Sequence, residues 1–360
     1  DRKLREQALL RNFDQGVPVF DFFSRGAYMI DQVRHHLLLT LAPMLMLVAW
    51  LHAAERWFGQ WMSASTGSAV MMAGALTIFA AAPLVIRHVW DTVPMPAGEL
   101  RDRLVAMCRR HRVRVRQLLL WRTRTSLVNG AVMGLIGPLR YILLTDGLIQ
   151  QMSDRRIEAV MVHELGHVRR HHMMWMAICA LGLLGALAVA SEGVFRVLLA
   201  MDIGFTEGRS LLDGTWQRTD WLAGGASGAV LVGLLAVWAG AFGWVSRRFE
   251  RQADTFAVQH MATKSAGDDD LDGQADAPAV ISADDVDAMA GALFEVARLN
   301  HIPTDRKSWR HGSIAWRIDY LRSLVGTRVD RCVIDRTIQR ICWAGAALAA
   351  GALLAYRYLG

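Results

Sequence analysis

Long apolar runs alternate with charged stretches along the 360 residues. Five runs stand out, at 37–54, 67–86, 173–190, 221–245 and 341–359. Each approaches the roughly 17–25 residues that a membrane-spanning helix needs. Their interiors hold almost no charge, and a Lys, Arg or Asp at the centre of such a helix costs about 2.5–3.5 kcal/mol. His52 interrupts the first run, and the last is short and rich in Gly and Ala, so a buried soluble helix is its alternative. The pattern predicts two helical hairpins in the bilayer and a candidate fifth span.

The stretches between the runs predict a smaller mixed structure. Helical spacing covers 99–112, and two β-rich stretches follow at 113–127 and 141–145 (YILLT). Asp146-Gly147 reads as a turn, and Ser153 as the N-cap of a helix carrying Ile157, Val160, Met161 and Leu165. A long helix begins near Arg247, a mobile acidic loop occupies 264–285, and a closing helix covers 314–324. The expected fold class is mainly α, α+β: multi-span membrane helices with a polar domain that contains a small β-sheet.

Composition supports the membrane reading. Apolar residues make up 53% of the chain and charged residues only 20%, too apolar a balance for an ordinary soluble domain. Tryptophans such as Trp57, Trp90, Trp175 and Trp244 mark the ends of the runs, where an interfacial aromatic belt belongs. The formal charge of +7 raises nucleic acid as a partner. However, the basic residues crowd the N-terminal arm, 87–170 and 247–340, and are sparse between the paired runs. That alternation follows the positive-inside rule, puts both large polar regions on the cytoplasmic side of the membrane, and leaves no nucleic-acid reading; the expected membrane is a bacterial-type inner membrane. The four cysteines have no CxxC spacing, which argues against a disulfide framework or a cysteine-built zinc site. The arm is polar for about 35 residues before the first run, without the pattern of a cleavable signal.

The chemistry concentrates in HELGH at 163–167. One helical turn separates His163 from His167, so both imidazoles can reach one zinc ion from the same face. Glu164 then sits beside the ion without filling its coordination shell. Zinc lowers the pKa of water it binds to about 7, so a neighbouring carboxylate can take that proton as general base and pass it to a departing amine. A third ligand is found in Glu250, within SRRFERQAD at 246–254. The histidines just precede the third run and Glu250 just follows the fourth, so an antiparallel helical pair returns the chain to the same membrane surface. Asp254, one turn beyond Glu250, can hold a ligand histidine through its Nδ1 hydrogen.

These residues give the chain its resemblance to the HtpX and type I CAAX-protease family of membrane zinc peptidases. The family's ordered motifs correspond to Val128-Asn129-Gly130, LTDGL at 144–148, HELGHVRRHH at 163–172 and ERQAD at 250–254, so the resemblance covers roughly 100–325. It implies His163, His167 and Glu250 as ligands to one Zn2+, Glu164 as the catalytic base, and Asn129 and Gly130 at an edge strand that holds substrate backbone. It also implies roles for His311 and Arg317 in HGSIAWRI at 311–318, where a histidine can stabilise a developing oxyanion and the arginine lies near the substrate. Two departures stand out: Gly312 where the family has proline, and Gly130 where alanine is common. His172 falls at a trailing-histidine position with a supporting role, while His35, His36, His111 and His171 read as surface or interfacial residues. An edge strand beside the ion favours substrates added as a strand, and a site at the mouth of a helix bundle favours membrane-associated or unfolded polypeptides.

The implied organisation is a polar arm (1–36), a transmembrane hairpin (37–90), a first catalytic segment (91–172), a second hairpin (173–246), a second catalytic segment (247–340) and the candidate fifth span (341–360). Two rival readings share the HExxH element. In a site-2-type intramembrane protease, Asp213 of LLDG (211–214) would replace Glu250, although the topology puts it on the opposite side from HELGH. A peptidase resembling β-lactam sensors would add an extracytoplasmic domain, yet no outside loop exceeds about 30 residues. A catalytically dead scaffold would not need the intact HELGH.

Overall fold

A computed structural model describes residues 39–59, 64–123, 127–200, 218–269 and 279–359, together with positions 26, 29, 30 and 33. Asp213 and most of the arm, including His35 and His36, lie outside the described residues. The first two helices, α1 (Leu39–Phe58) and α2 (Ala64–Val89), pack as a pair. Next come β1 (Thr92–Pro94), α3 (Glu99–Arg110), β2 (Gln117–Trp121), β3 (Gly130–Met133), β4 (Tyr141–Thr145) and α4 (Asp146–Gln151). The second half is helical: α5 (Asp154–Arg169), α6 (His172–Ala200), α7 (Arg218–Asp269), α8 (Ala283–Leu299), α9 (Ile314–Arg322) and α10 (Val333–Leu359).

The four strands lie in the order β1-β2-β4-β3. β4 runs parallel to β2 and antiparallel to β3, which leaves β3 as an edge. Because successive side chains of a strand point to opposite faces, the buried YILLT of β4 serves two cores. Ile142 and Leu144 join the main core with Met161, Leu165 and Phe249, while Tyr141 and Leu143 join a second cluster with Leu119 and Trp121. The end of α2 covers that second face: Leu84, Ile86 and Trp90 pack on it, and Trp90 stacks on Trp121 with centroids 4.4 Å apart. Such a stack adds about 0.5–1.5 kcal/mol beyond the area it buries. The first hairpin is thereby fastened to the sheet.

Several expected boundaries shift. Asp146-Gly147 opens α4 instead of forming a turn, because the Thr145 side chain caps the helix by accepting the Leu148 N–H at 3.2 Å. Ser153 does occupy the N-cap position of α5, with its backbone carbonyl rather than its hydroxyl accepting the first bonds. The helix expected from Arg247 is the second half of α7, which runs without a break for 52 residues, about 78 Å. Of the expected acidic loop at 264–285, α7 takes the stretch up to Asp269 and α8 begins at Ala283. Asp285 is buried in a capping box with Ser282, and 270–278 lie outside the described residues. His111, expected at the surface or an interface, is partly buried with Nε2 2.9 Å from Nδ1 of His260.

Four helices among the described residues are long and apolar enough to cross a membrane, over Ala69–Val89, His172–Gly193, Gly228–Ser265 and Val329–Ala355. The first apolar run forms α1, which is not one of the four and carries His52, Glu55 and Arg56 in its last turns. α6 and α10 pack along much of their length at small residues. A side chain at Gly345 would start 2.5 Å from Cys179 Sγ, and one at Gly182 would start 2.6 Å from the Gly345 carbonyl oxygen. Small residues let helices approach closely where lipid offers no hydrophobic drive for their association. The Trp238 indole adds a bond to the Ala180 carbonyl between α7 and α6. Replacing Gly345 with Leu should cost about 1–3 kcal/mol through overpacking and lower the thermal midpoint in detergent. Gly351→Leu on the same helix meets nothing within 4 Å and should leave it unchanged.

Candidate metal centre

α5 brings two imidazoles together from positions one turn apart: His163 Nε2 and His167 Nε2 lie 3.2 Å from each other. α7 crosses α5 at Gly166, where an added side chain would press on Phe256 and the Ala253 backbone. This close crossing delivers Glu250, whose oxygens lie 3.7 Å from His163 Nε2 and 3.8 Å from His167 Nε2. The ligand atoms of all three residues fall within 4.8 Å of one another, the one such grouping among the described residues. Two neutral nitrogens and one carboxylate oxygen suit a divalent cation of the zinc type. Burial lowers the pKa of His167 to about 3, so its ring is neutral, as a ligand must be.

Charge behind this set is balanced by pairs. Asp254 Oδ1 lies 2.9 Å from His163 Nδ1. Burial works against a charge on that imidazole, but the Asp254 carboxylate more than offsets it and holds the pKa above its ordinary value. Arg317 grips Asp254 through two bonds, Nε to Oδ2 at 2.8 Å and Nη2 to Oδ1 at 2.6 Å, and its Nη1 lies 3.3 Å from Glu250 Oε2. Burial disfavours the guanidinium charge, yet Asp254 and Glu250 raise its pKa above the ordinary value. Only 6% of Arg317 is exposed. The sequence expectation put Arg317 against substrate, but the structure puts it against the Asp254 and Glu250 carboxylates. His311 Nδ1 stands 2.9 Å from Glu250 Oε1 with about half its side chain exposed. Its loop is held by Trp309, whose indole donates to the Ala239 carbonyl. Gly312 has φ +76, a left-handed angle closed to proline, which accounts for this departure from the family pattern.

Glu164 lies on the open side of the set, partly exposed. Burial raises its pKa to about 7, with His163 pulling it down and Glu250 pushing it up. β3 runs alongside: a side chain at Gly130 would meet Val160 at 2.9 Å and Glu164 Cγ at 3.6 Å. Asn129 stands just before the strand with its side chain exposed. Its backbone is tied to Thr145, N–H to Oγ1 at 3.0 Å and carbonyl to N–H at 3.1 Å. Asn300 at the end of α8 holds the preceding residue, accepting the Val128 N–H at 3.0 Å and donating to its carbonyl at 2.8 Å. Sequence reading missed Asn300, whose only signal is a C-cap position.

His167 has one neighbour expected from the sequence, His172, and behind it two that were missed, Gln252 and Asp335. His172 Nδ1 lies 2.9 Å from His167 Nδ1, and His172 Nε2 lies 2.9 Å from Gln252 Oε1. Gln252 in turn donates to Asp335 at 2.6 Å. Gln252 lies within ERQAD, between the two residues the motif makes conspicuous, and Asp335 opens a different helix. Sequence spacing links neither of them to His167.

Residues 98–275 match peptidase family M48. Two proteins named "Protease HtpX homolog", from two strains of Bacteroides fragilis, are 27% and 26% identical to the chain over 127 residues. Each alignment covers 33% of this chain and 34% of the relative, so the chain spans about a third of the length of the curated relatives it matches. The crystal structure of Ste24p from S. mikatae superposes with a TM-score of 0.53 over 84% of this chain and 67% of the other, at 16% identity, a likeness of fold. The M48 match, the HtpX relatives and the shared fold together support an M48, HtpX/CAAX protease-like family for this chain.

Proposed function

We propose that the chain is a zinc-dependent endopeptidase that hydrolyses peptide bonds in membrane-associated or unfolded polypeptides. The observation that carries this reading is the meeting of His163, His167 and Glu250, from helices separated in sequence by two membrane spans, with Glu164 beside them. His163, His167 and Glu250 would hold the ion, whose Lewis acidity toward water and a peptide carbonyl is the chemistry it supplies when bound. Glu164 takes the proton of the attacking water and delivers it to the leaving amine, for which a carboxyl raised toward neutrality is suited. Asp254 fixes His163, and Arg317 keeps the two α7 carboxylates together. His311, exposed at the rim, stabilises charge developing on the carbonyl oxygen.

β3 supplies the substrate rail. Asn129 and Thr145 exchange a backbone bond, and pairing alternates along an antiparallel ladder. Gly130 and Val132 therefore turn their N–H and C=O groups toward the free edge, where an extended peptide adds as a strand. The charge pattern supports an active site on the cytoplasmic side of a bacterial-type inner membrane, where α6 and α7 leave the bilayer.

In a casein-degradation assay of the reconstituted chain, Glu164→Gln should keep zinc and lose about 10²–10⁴-fold in rate, the usual contribution of a positioned acid–base group; undiminished cleavage would refute the assignment. Zinc content measured by mass spectrometry should collapse in Glu250→Gln and persist in Asp213→Asn, and the reverse pattern would transfer the third ligand to the intramembrane type. Without metal the Glu164 carboxyl keeps its proton up to about pH 7, and a cation beside it favours the carboxylate. Zinc uptake near pH 6 should therefore release a proton from the native chain that Glu164→Gln does not release, as read by calorimetry in buffers of different ionisation enthalpy.

A further inference from the structure

We infer that His172, Gln252 and Asp335 are positioning residues that set the tautomer and ring orientation of His167 through a one-way chain of hydrogen bonds. The inference rests on the proposed role of His167 as a zinc ligand. Its Nε2 points at His163 Nε2 and Glu250, so a neutral ring that offers a lone pair there must carry its hydrogen on Nδ1. That nitrogen lies 2.9 Å from His172 Nδ1, and two ring nitrogens bond only when one donates and the other accepts.

The remaining links then have only one direction. With His172 accepting at Nδ1, a neutral His172 carries its hydrogen on Nε2 and donates it to Gln252 Oε1 at 2.9 Å. The Gln252 amide, its oxygen so engaged, turns its nitrogen to Asp335 Oδ1 at 2.6 Å. Arg170 holds the terminal carboxylate, with Nη2 3.4 Å from it. Reversing the direction would put hydrogen on His167 Nε2, facing the other donors.

Packing makes the chain rigid. His172 is fully buried and Gln252 is 4% exposed, and the His172 ring packs against Phe249 at 4.7 Å. His171 immediately before it has φ +54; this left-handed residue turns the chain from α5 into α6 and folds His172 back beneath His167. The two imidazoles are thus supported differently. His163 meets a carboxylate directly, whereas His167 reaches one through two intermediaries, and that carboxylate belongs to the first turn of the last membrane helix.

Zinc competition titrations on the full chain in detergent test the inference. His172→Phe and Gln252→Met should each weaken zinc about 10- to 100-fold, as loss of an outer partner does. Because the residues act in series, the double variant should bind no more weakly than His172→Phe alone. Asp335→Leu removes the acceptor for the Gln252 amide and should weaken zinc in the same direction, by up to about 10-fold. In ¹⁵N spectra of the metal-free chain, His167 should carry its hydrogen on Nδ1 natively and lose that preference in Gln252→Met. If His172→Phe does not fold, the Gln252→Met titration and spectra decide. Native-like affinity in Gln252→Met, or additive losses in the double variant, would overturn the inference. Loss of zinc binding in the native chain itself would instead overturn the ligand assignment on which it stands.

Discussion

A single buried guanidinium makes the centre affordable. Glu250 and Asp254 lie one turn apart on α7, both almost wholly removed from solvent, and like charges so placed repel each other strongly. Arg317 bridges them. Removing one member of such a buried set leaves a charge without compensation, typically at 3–5 kcal/mol. The fork of the guanidinium also fixes geometry in a way that a point charge would not. It holds Asp254 in the plane that meets His163 and keeps Glu250 from swinging toward solvent. The loop bearing His311 and α9 bearing Arg317 therefore belong to the centre as much as HELGH does.

The rest of the fold carries this cluster to a defined place. α7 joins a lipid-facing half to a polar half without a break, so Glu250 inherits its position from the span above it. Gly166 sets how near α7 comes to α5. On the other side of α5, β3 is tied down at both ends of its approach, by Thr145 to Asn129 and by Asn300 to Val128. β4 behind it is covered on both faces, once by α5 and once by the end of the first hairpin. Membrane helices and sheet thus form one connected body around the site.

Much of this was legible from spacing. The four-residue interval in HELGH places two side chains on one helix face regardless of context, and the same interval links Glu250 to Asp254. Apolar runs disclosed most of the spanning helices because lipid imposes a length. Elements that depend on tertiary partners were not legible. β1, at three residues, is too short to show a period, and the unbroken course of α7 is hidden by its change from apolar to charged composition at the membrane surface. Asp146-Gly147 has the composition of a turn, but a capping threonine converts it into the start of a helix. Arg317, expected beside substrate, finds its place only once its two carboxylate partners are known. Gln252 and Asp335 gain meaning only from the meeting of three helices.

The discontinuity of the centre has a consequence for how it comes into being. His163 and His167 leave the ribosome early, Glu250 about 80 residues later, and the arginine that neutralises it later still. At about 5–20 residues per second, on the order of ten seconds separate the first donor from the last member of the cluster. During that interval a nascent chain holds the two imidazoles without Glu250, then Glu250 without its counter-charge. The cluster with its counter-charge is complete only once synthesis has passed Arg317, so its parts stay apart while the apolar helices between them are being threaded into the bilayer.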